Sequence, residues 1–504
     1  MEKLERWYKK YVKVFLWILA IGFVAHAFVI TNKLINHDEL GQLFDKGGSY
    51  SLGRWGLELI TYVLPNISMQ SLYGIMVLIL IGLSSCLISE MFNVESKLLQ
   101  VIIGGIMITF PSIIGTFSYM FTASSYAVAI FLSVLSVYVI SKKNWKIDWI
   151  GILCLVLSLS LYQAYISISA SLLIILLIKE CLKKEKSFKD IIIDAIRYGI
   201  FLILSLGIYL IVTKAINKYK EMNFSTYQSV NTMGELSFSL LIQGIIDAYK
   251  AIPAMFLINW NGIVYTKLLK GILAIIGIIS TIFILYSFNE ARKNSILKAF
   301  SILILAGMLP MTMNMLFLLN PNGSMHALMI YGNLTLFILP ILLYAENKEI
   351  KFANYLKNIV IICLSVVIFE YTILANSCYT KLYLAYENTY AFFNTLSTRI
   401  QETDGFNQDS KIALIGDFEG AFLNNFDEKF PYTNYITGIK NGRQIIGSYA
   451  NTNFLKYYIG IDLKFATQDE INKIVETTEY QQMNIYPYDN SIKMFDNIIV
   501  VRYK

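Results

Sequence analysis

The chain has 504 residues, of which 56% are hydrophobic and only 15% charged, with a mean hydropathy of +0.55. A soluble globular chain carries about a quarter charged residues, so this composition excludes that class and points to a polytopic α-helical membrane protein. The net charge of +7 sits mostly on lysines and arginines in short loops, which is a topology signal and gives no nucleic-acid footprint.

A membrane span needs roughly 20 apolar residues. After a charged start, the first apolar run ends at Ile30 without a small-residue cleavage site, so it reads as a retained helix. Eleven spans are predicted in all: 12–31, 70–89, 98–117, 119–140, 148–162, 164–180, 195–216, 268–288, 299–319, 326–344 and 357–376. The run 148–180 is too long for one straight helix and is divided at Tyr162-Gln163-Ala164-Tyr165. With that division, the basic clusters around Lys3–Lys13, Lys142–Lys146, Lys179–Lys189, Arg292–Lys298 and Lys348–Lys357 all fall on one side. The positive-inside rule then makes that side cytoplasmic and puts the C-terminal segment outside.

The expected domains are a membrane domain over 1–376 and a small extracytoplasmic α/β domain over 377–504. In the long segment 217–267, the pieces 235–242 and 252–260 are each too short to span and read as interfacial helices. Toward the C-terminus, Lys411–Gly416 and Asn497–Tyr503 read as strands, and Thr467-Gln468-Asp469-Glu470 is a capping box opening a helix over 471–480. Cys86, Cys154, Cys181 and Cys363 lie in or beside apolar runs, and Cys378 has no evident partner, so no disulfide framework is expected. With three histidines in the chain, His26, His37 and His326, a histidine-based metal site is not expected either.

Asp38 and Glu39 follow the first helix closely, beside His37. Carboxylates at a membrane surface are often simply solvated. An ionised aspartate can also take a proton from a hydroxyl as a new bond makes that hydroxyl acidic. Adjacent side chains diverge, so one carboxylate would serve as base and the other bind acceptor hydroxyls. A divalent Mg²⁺ or Mn²⁺ held by the pair is the alternative, and otherwise no cofactor is required. A helix over 52–63 would bury a stripe of Leu52, Trp55, Leu59 and Val63 and pair Arg54 with Glu58 on another face. Arg54 is either that surface ion pair or a phosphate clamp, for which a planar guanidinium is suited.

Glu370 falls inside the last span, about two turns from its expected outer end, where a carboxylate is costly. Gln163, flanked by Tyr162 and Tyr165, could bond sugar hydroxyls or a neighbouring helix. Asn314, Asn320, Asn322 and His326 cluster at another outer turn, where turn chemistry accounts for the asparagines.

Asp38-Glu39, Gly53-Arg54-Trp55, Leu161-Tyr162-Gln163-Ala164-Tyr165 and the terminal Tyr486-Pro487-Tyr488-Asp489-Asn490-Ser491-Ile492 with Ile499-Val500-Val501 together resemble the bacterial glucosyltransferase type II membrane family, nearly end to end. That family looks like a branch of the GT-C superfamily, whose members move a sugar from an outer-leaflet polyprenyl phosphate to a cell-surface glycan. The resemblance implies catalytic acids at Asp38 and Glu39, where relatives often carry Asp-Asp. It also implies an arginine near the outer turn that here holds His326. The expected substrate-binding set is therefore Arg54, Tyr162, Gln163, Glu370 and His326. The expected partners are a polyprenyl-phosphate sugar donor, a polysaccharide or teichoic-acid-like acceptor, the bilayer of the cell membrane, and the enzymes that make and flip the donor. A lipid-glycan transporter without bond chemistry is the competing expectation. Transporters tend to carry internal repeats meeting at the midplane, and no clear repeat is found here.

Overall fold

The computed structural model describes residues 2–41, 43, 49–65, 67–232, 237–347, 352–407, 409–418, 425–439, 445 and 451–503. They form two compact units. The first comprises Met1–Lys33, Lys46–Asn376 and Tyr435–Thr437, and the second comprises Leu34–Asp45, Ser377–Asn434 and Gly438–Lys504.

Among its described residues the regular elements of the first unit are all helices. Its helices are α1 (Glu2–Thr31), α2 (Gly56–Thr61), α3 (Gln70–Met91), α4 (Lys97–Thr109), α5 (Pro111–Ser118), α6 (Met120–Ser141), α7 (Trp145–Leu161) and α8 (Ile166–Leu182). There follow α9 (Phe188–Tyr219), α10 (Phe238–Leu257), α11 (Lys267–Asn294), α12 (Ile296–Met313), α13 (Leu316–Leu319), α14 (Thr335–Glu346) and the first half of α15 (Ala353–Gln401). Among the described residues nine helices are long and apolar enough to cross a bilayer, or ten when α4 and α5, bent by 44° at Phe110-Pro111, count as one. The protein is therefore a polytopic helical membrane protein.

Three segments separate this set from the eleven expected. α7, with 17 residues, and the apolar Tyr331–Glu346 are too short, whereas α10 qualifies where two interfacial pieces were expected. Gln243, Asp247 and Lys250 lie along one side of α10, Gln243 donating to Asp247 at 2.7 Å. The hydropathy therefore dips while the helix continues. The neighbouring stripe of Gly244, Ala248, Ala251 and Met255 is buried, and a Cβ at Gly244 would stand 2.5 Å from the Phe317 carbonyl oxygen of α13.

The break expected in 148–180 is present. Tyr162 leaves the helix at φ −158°, ψ 112°, and Gln163–Tyr165 makes one 3₁₀ turn before α8. A broken helix is tolerable within a membrane protein when other protein groups take up the freed backbone. Here the Ser133 hydroxyl donates to the Tyr165 carbonyl at 2.8 Å. α8 is the most deeply embedded span and packs against α6, α9, α12 and α14. Asp194 and Arg197 do not pair with each other: Arg197 binds Asp148 at 2.6 Å and Asp194 takes Lys143 at 2.7 Å and also Lys186. These bonds tie together the lysine-rich ends of α6, α8 and α9.

In the second unit a four-stranded sheet has the order β2-β1-β4-β3, with β1 (Lys411–Ile415) parallel to β2 (Lys464–Phe465) and β4 (Ile498–Arg502), and β3 (Ile492–Phe495) antiparallel to β4. Both expected strands are thus found. A short helix α16 (Asn451–Phe454) precedes β2, and the expected helix 471–480 is shorter: α17 (Gln468–Val475) opens on the Thr467–Glu470 capping box, and Thr477 recaps a separate turn, α18 (Thr478–Gln481). Ala413, Val500, Ile474, Tyr480 and Met483 make the core between sheet and helices. On the second half of α15 the buried Lys381 pairs with Asp427 at 2.7 Å and donates to Asn434 Oδ1 at 2.5 Å, anchoring the segment 427–434. All five cysteines are buried and free.

Candidate functional site

The first unit holds a cleft beside Arg54. Its walls are Arg54, Tyr162, Gln163 and Ala164 on one side and Tyr227, Gln228, Leu316, Asn320, Ser324, Met325 and Met329 on the other, around about 30 Å³ of free space.

Arg54 stands on a turn that the sequence makes obligatory. Gly53 has φ +71°, a conformation that side chains oppose, and a Cβ there would lie 2.6 Å from the Tyr209 hydroxyl and 3.1 Å from Gln163 Nε2. The turn is bound to its surroundings at every step. Gln163 Nε2 donates to the Leu52 carbonyl and to the Tyr209 hydroxyl, both at 2.8 Å. The Tyr209 hydroxyl donates to the Gly53 carbonyl at 3.0 Å, and Trp55 Nε1 donates to Thr213 Oγ1 at 3.1 Å. Gln163, expected to touch substrate, holds the arginine turn as well as lining the cleft.

The guanidinium lies 4.8 Å over the ring of Tyr162, which itself stacks on Tyr126 at 4.4 Å, and Nη1 donates to the Tyr126 hydroxyl at 3.2 Å. Arg54 Nε is buried with no hydrogen-bond partner among the described residues. Burial opposes the charge, but the phenol oxygens of Tyr126, Tyr162, Tyr209 and Tyr227 favour it more and leave the pKa above its ordinary value. The cleft therefore presents a permanent positive charge that forms no ion pair among the described residues.

The expected Arg54–Glu58 pair does not form. The helix starts at Gly56, after Arg54, and Glu58 accepts instead from the Ser49 hydroxyl. The expected apolar stripe is also different, since Trp55, Gly56 and Leu57 are buried while Leu59 and Val63 are 48% and 82% exposed.

Asp38 and Glu39 belong to the second unit. The Asn36 side-chain oxygen accepts from both of their backbone amides, at 2.9 and 3.0 Å, shaping a tight turn. The two side chains part company as expected: Asp38 is 44% exposed, 3.5 Å from His37 Nε2, whereas Glu39 is buried. Asn453 Nδ2 donates to the Leu40 carbonyl at 3.0 Å, fastening this turn to the segment that carries Tyr458. Burial pushes the Tyr458 phenol pKa up, and the nearby charge of Glu39 pushes it further. No group of three or more His, Cys, Asp or Glu side chains is placed to hold a metal ion among the described residues.

The remaining candidates, His326 and Glu370, do not line the Arg54 cleft. His326 directs Nδ1 to Thr437 Oγ1 at 3.4 Å. Glu370 receives the Tyr265 hydroxyl at its backbone carbonyl, 2.9 Å away, and at its carboxylate, 3.4 Å away. It does not sit near the end of its helix, because α15 runs on to Gln401. Tyr126, Tyr209 and Thr213 were not singled out from sequence. Each lies within an apolar helix and has no neighbouring motif.

The family model described as Glucosyl transferase GtrII matches residues 27–339. The chain belongs to that family. The matched range holds Asp38, Glu39, Arg54, Tyr162, Gln163 and His326, and it ends before Glu370 and the terminal Tyr486 motif. The GtrII resemblance thus covers less of the chain than its motifs suggested. Neither the comparison with curated proteins nor that with solved structures gives a match. As a GtrII chain the protein is a membrane glycosyltransferase, and it needs a bilayer, a sugar donor and an acceptor.

Proposed function

We propose that the protein moves a glucosyl unit from a polyprenyl-phosphate donor to a polysaccharide or teichoic-acid-like acceptor on the outer face of the cell membrane, in the manner of GT-C enzymes. The observation that carries this reading is the unneutralised guanidinium of Arg54 at the cleft, which opposes a phosphate in charge and offers its oxygens a planar fork of donors. The Tyr162 ring covers one face of that guanidinium, so an anion meets its donors edge-on.

In the transfer, the acceptor hydroxyl oxygen forms a bond to the anomeric carbon as the bond from that carbon to the phosphate oxygen breaks. A carboxylate base takes the hydroxyl proton, and the lipid phosphate leaves with the electron pair, its charge stabilised by Arg54. A single displacement of this kind inverts the anomeric centre. Asp38 suits the base because it is accessible, and the buried Glu39 suits a fixed hydrogen-bonding role toward the acceptor. No cofactor is required, with Mg²⁺ or Mn²⁺ at the pair as the alternative. The second unit would help hold the acceptor. It contains a pocket of about 350 Å³ lined in part by Phe418, Phe465 and Tyr503 at the carboxyl end of β1. The lysine asymmetry of the loops supports an extracytoplasmic location for this unit. Enzymes that make the donor and carry it across the bilayer would act upstream.

The test is transfer of labelled glucose from glucosyl phosphoprenol by membranes containing the protein. Absence of transfer by the wild type removes the reading; transfer abolished by Arg54→Ala supports the role of Arg54 in it, and normal transfer by that variant removes Arg54 from the site.

A further inference from the structure

Opposite Arg54, the cleft wall is built from two loops locked to each other. Gln228 and Ser229 are both left-handed, with φ of 54° and 57°, a strained pair that persists only where its surroundings fix it. The fixing bonds are present. Asn320 Nδ2 donates to the Gln228 carbonyl at 2.7 Å, and Gln228 Oε1 accepts from the Ser324 amide at 3.1 Å and hydroxyl at 2.6 Å. Gly323 is squeezed into the same junction, where a Cβ would lie 2.4 Å from Asn320 Nδ2.

This arrangement settles which way the Asn320 amide faces. Its nitrogen must point to the Gln228 carbonyl, so its oxygen is the remaining group, and that oxygen is buried with no hydrogen-bond partner among the described residues. The Asn320 residue is only 7% exposed. A buried acceptor left unmet costs free energy, so its place at a cleft wall points to a ligand that donates a hydrogen bond. Arg54 Nε, also buried and unmet, marks the other wall of the same cleft.

We propose that Asn320 is a specificity residue whose side-chain carbonyl accepts from a hydroxyl of the hexose bound next to the phosphate, with the Gln228–Ser324 latch holding it in place. This rests on the phosphate reading of Arg54. Once it opens beyond its present free space of about 30 Å³, the cleft distinguishes a hexosyl phosphate from the bare lipid phosphate that remains after transfer.

The experiment measures binding of two short-chain probes, glucosyl phosphofarnesol and farnesyl phosphate, to the purified full chain. The wild type should bind the glucosyl probe about tenfold more tightly. Asn320→Ala should erase that preference while leaving farnesyl phosphate affinity nearly intact. Asn320→Asp keeps an acceptor oxygen but loses the amide donor to Gln228, and it should keep the preference even if both probes bind more weakly. No preference in the wild type overturns the proposal, as does equal weakening of both probes by Asn320→Ala. Loss of preference in Asn320→Asp assigns the effect to the latch and overturns it too. Arg54→Ala should weaken both probes alike. If it weakens neither, the phosphate reading fails, a result distinct from any outcome at Asn320.

Discussion

The Arg54 guanidinium is stacked on Tyr162, 4.8 Å from the ring centroid, at the residue where the run 148–180 breaks out of helix. The break therefore does more than shorten a span. It turns an aromatic face toward the cleft and puts Gln163 where its amide can grip the turn carrying the arginine. A buried charge that is not ion-paired is costly, and its retention here is best explained by an anionic ligand.

Arg54→Lys keeps the charge but loses the planar fork. Its kcat/KM for glucosyl phosphoprenol should fall about 10- to 100-fold, with protein abundance unchanged. Tyr162→Leu removes the cation–π contact, worth about 0.5–2 kcal/mol, and should weaken donor binding by a smaller factor. Steady-state transfer at varied donor concentration checks both. A normal Arg54→Lys enzyme would mean that charge alone suffices there, whereas normal transfer by Arg54→Ala would send the search for the phosphate site to Lys214, Lys218 or His326.

The turn itself is testable through stability. Gly53→Ala forces a side chain into φ +71° and against the Tyr209 hydroxyl, which should cost about 1–3 kcal/mol. Gln163→Leu leaves the Leu52 carbonyl and the Tyr209 hydroxyl without their donor and should cost a similar amount. Thermal unfolding in detergent should show both losses, and each variant should bind donor less well because Arg54 is no longer held. An unperturbed melting temperature in both would mean that the turn is not fixed by these contacts.

Much of this was legible in the sequence. The division at Tyr162-Gln163 followed from the length of the apolar run and the side on which the later lysines fall. The carboxylate turn followed from its position after the first helix, and the two strands of the C-terminal sheet from short β-branched runs. What the sequence hid has physical reasons. A left-handed Gly53 cannot be told from any other glycine, so helix 52–63 was extended through it and Arg54 was paired with Glu58. Polar residues along one side of α10 lowered its hydropathy and made one helix look like two. α15 continues as helix through the polar stretch after Asn376, which placed Glu370 wrongly near an end. Asn320 looked like ordinary turn chemistry, because its role depends on a loop about 90 residues away in the chain.

In the second unit, Glu470 gives a pH signature. Its carboxylate pKa is lowered to about 2, first by the hydrogen bond from Lys411 and then by the Thr467 cap. A depressed carboxylate pKa means that the stabilisation is present above the unfolded value, about 4.3, and is lost as pH falls toward the folded value. Hydrogen-exchange protection of α17 should therefore exceed that of Glu470→Gln at pH 7, and the difference should shrink between about pH 5 and pH 2. A constant difference across that window would show that Glu470 does not bind Lys411 as a carboxylate.

The orientation prediction follows from the lysine asymmetry. A reporter inserted after Lys186, in the lysine-rich connection between α8 and α9, should report cytoplasm. One appended after Lys504 should report the outer side. α10 makes this a sharp test, because its length allows a crossing, and a crossing by α10 added to the other spans would reverse the second report. A cytoplasmic C-terminus would detach the second unit, and with it Asp38 and Glu39, from any outer-face reaction.

The acid pair supplies the last prediction. Asp38 is accessible beside His37, and Glu39 is buried a residue away on the same turn, so one substitution at each position separates proton transfer from positioning. Asp38→Asn preserves shape and removes the proton acceptor. Turnover should fall about 100- to 10,000-fold, with donor binding unchanged. Glu39→Gln keeps hydrogen-bonding capacity in a buried site, so its loss should be milder and should appear mainly in the apparent affinity for acceptor. If a divalent ion bridges the pair, chelation should abolish transfer and both variants should fail together. The assay is labelled-glucose transfer by membranes carrying each variant at matched abundance, with and without chelator. A dead Glu39→Gln beside a nearly normal Asp38→Asn would exchange the two roles, and normal turnover in both would remove the pair from the reaction.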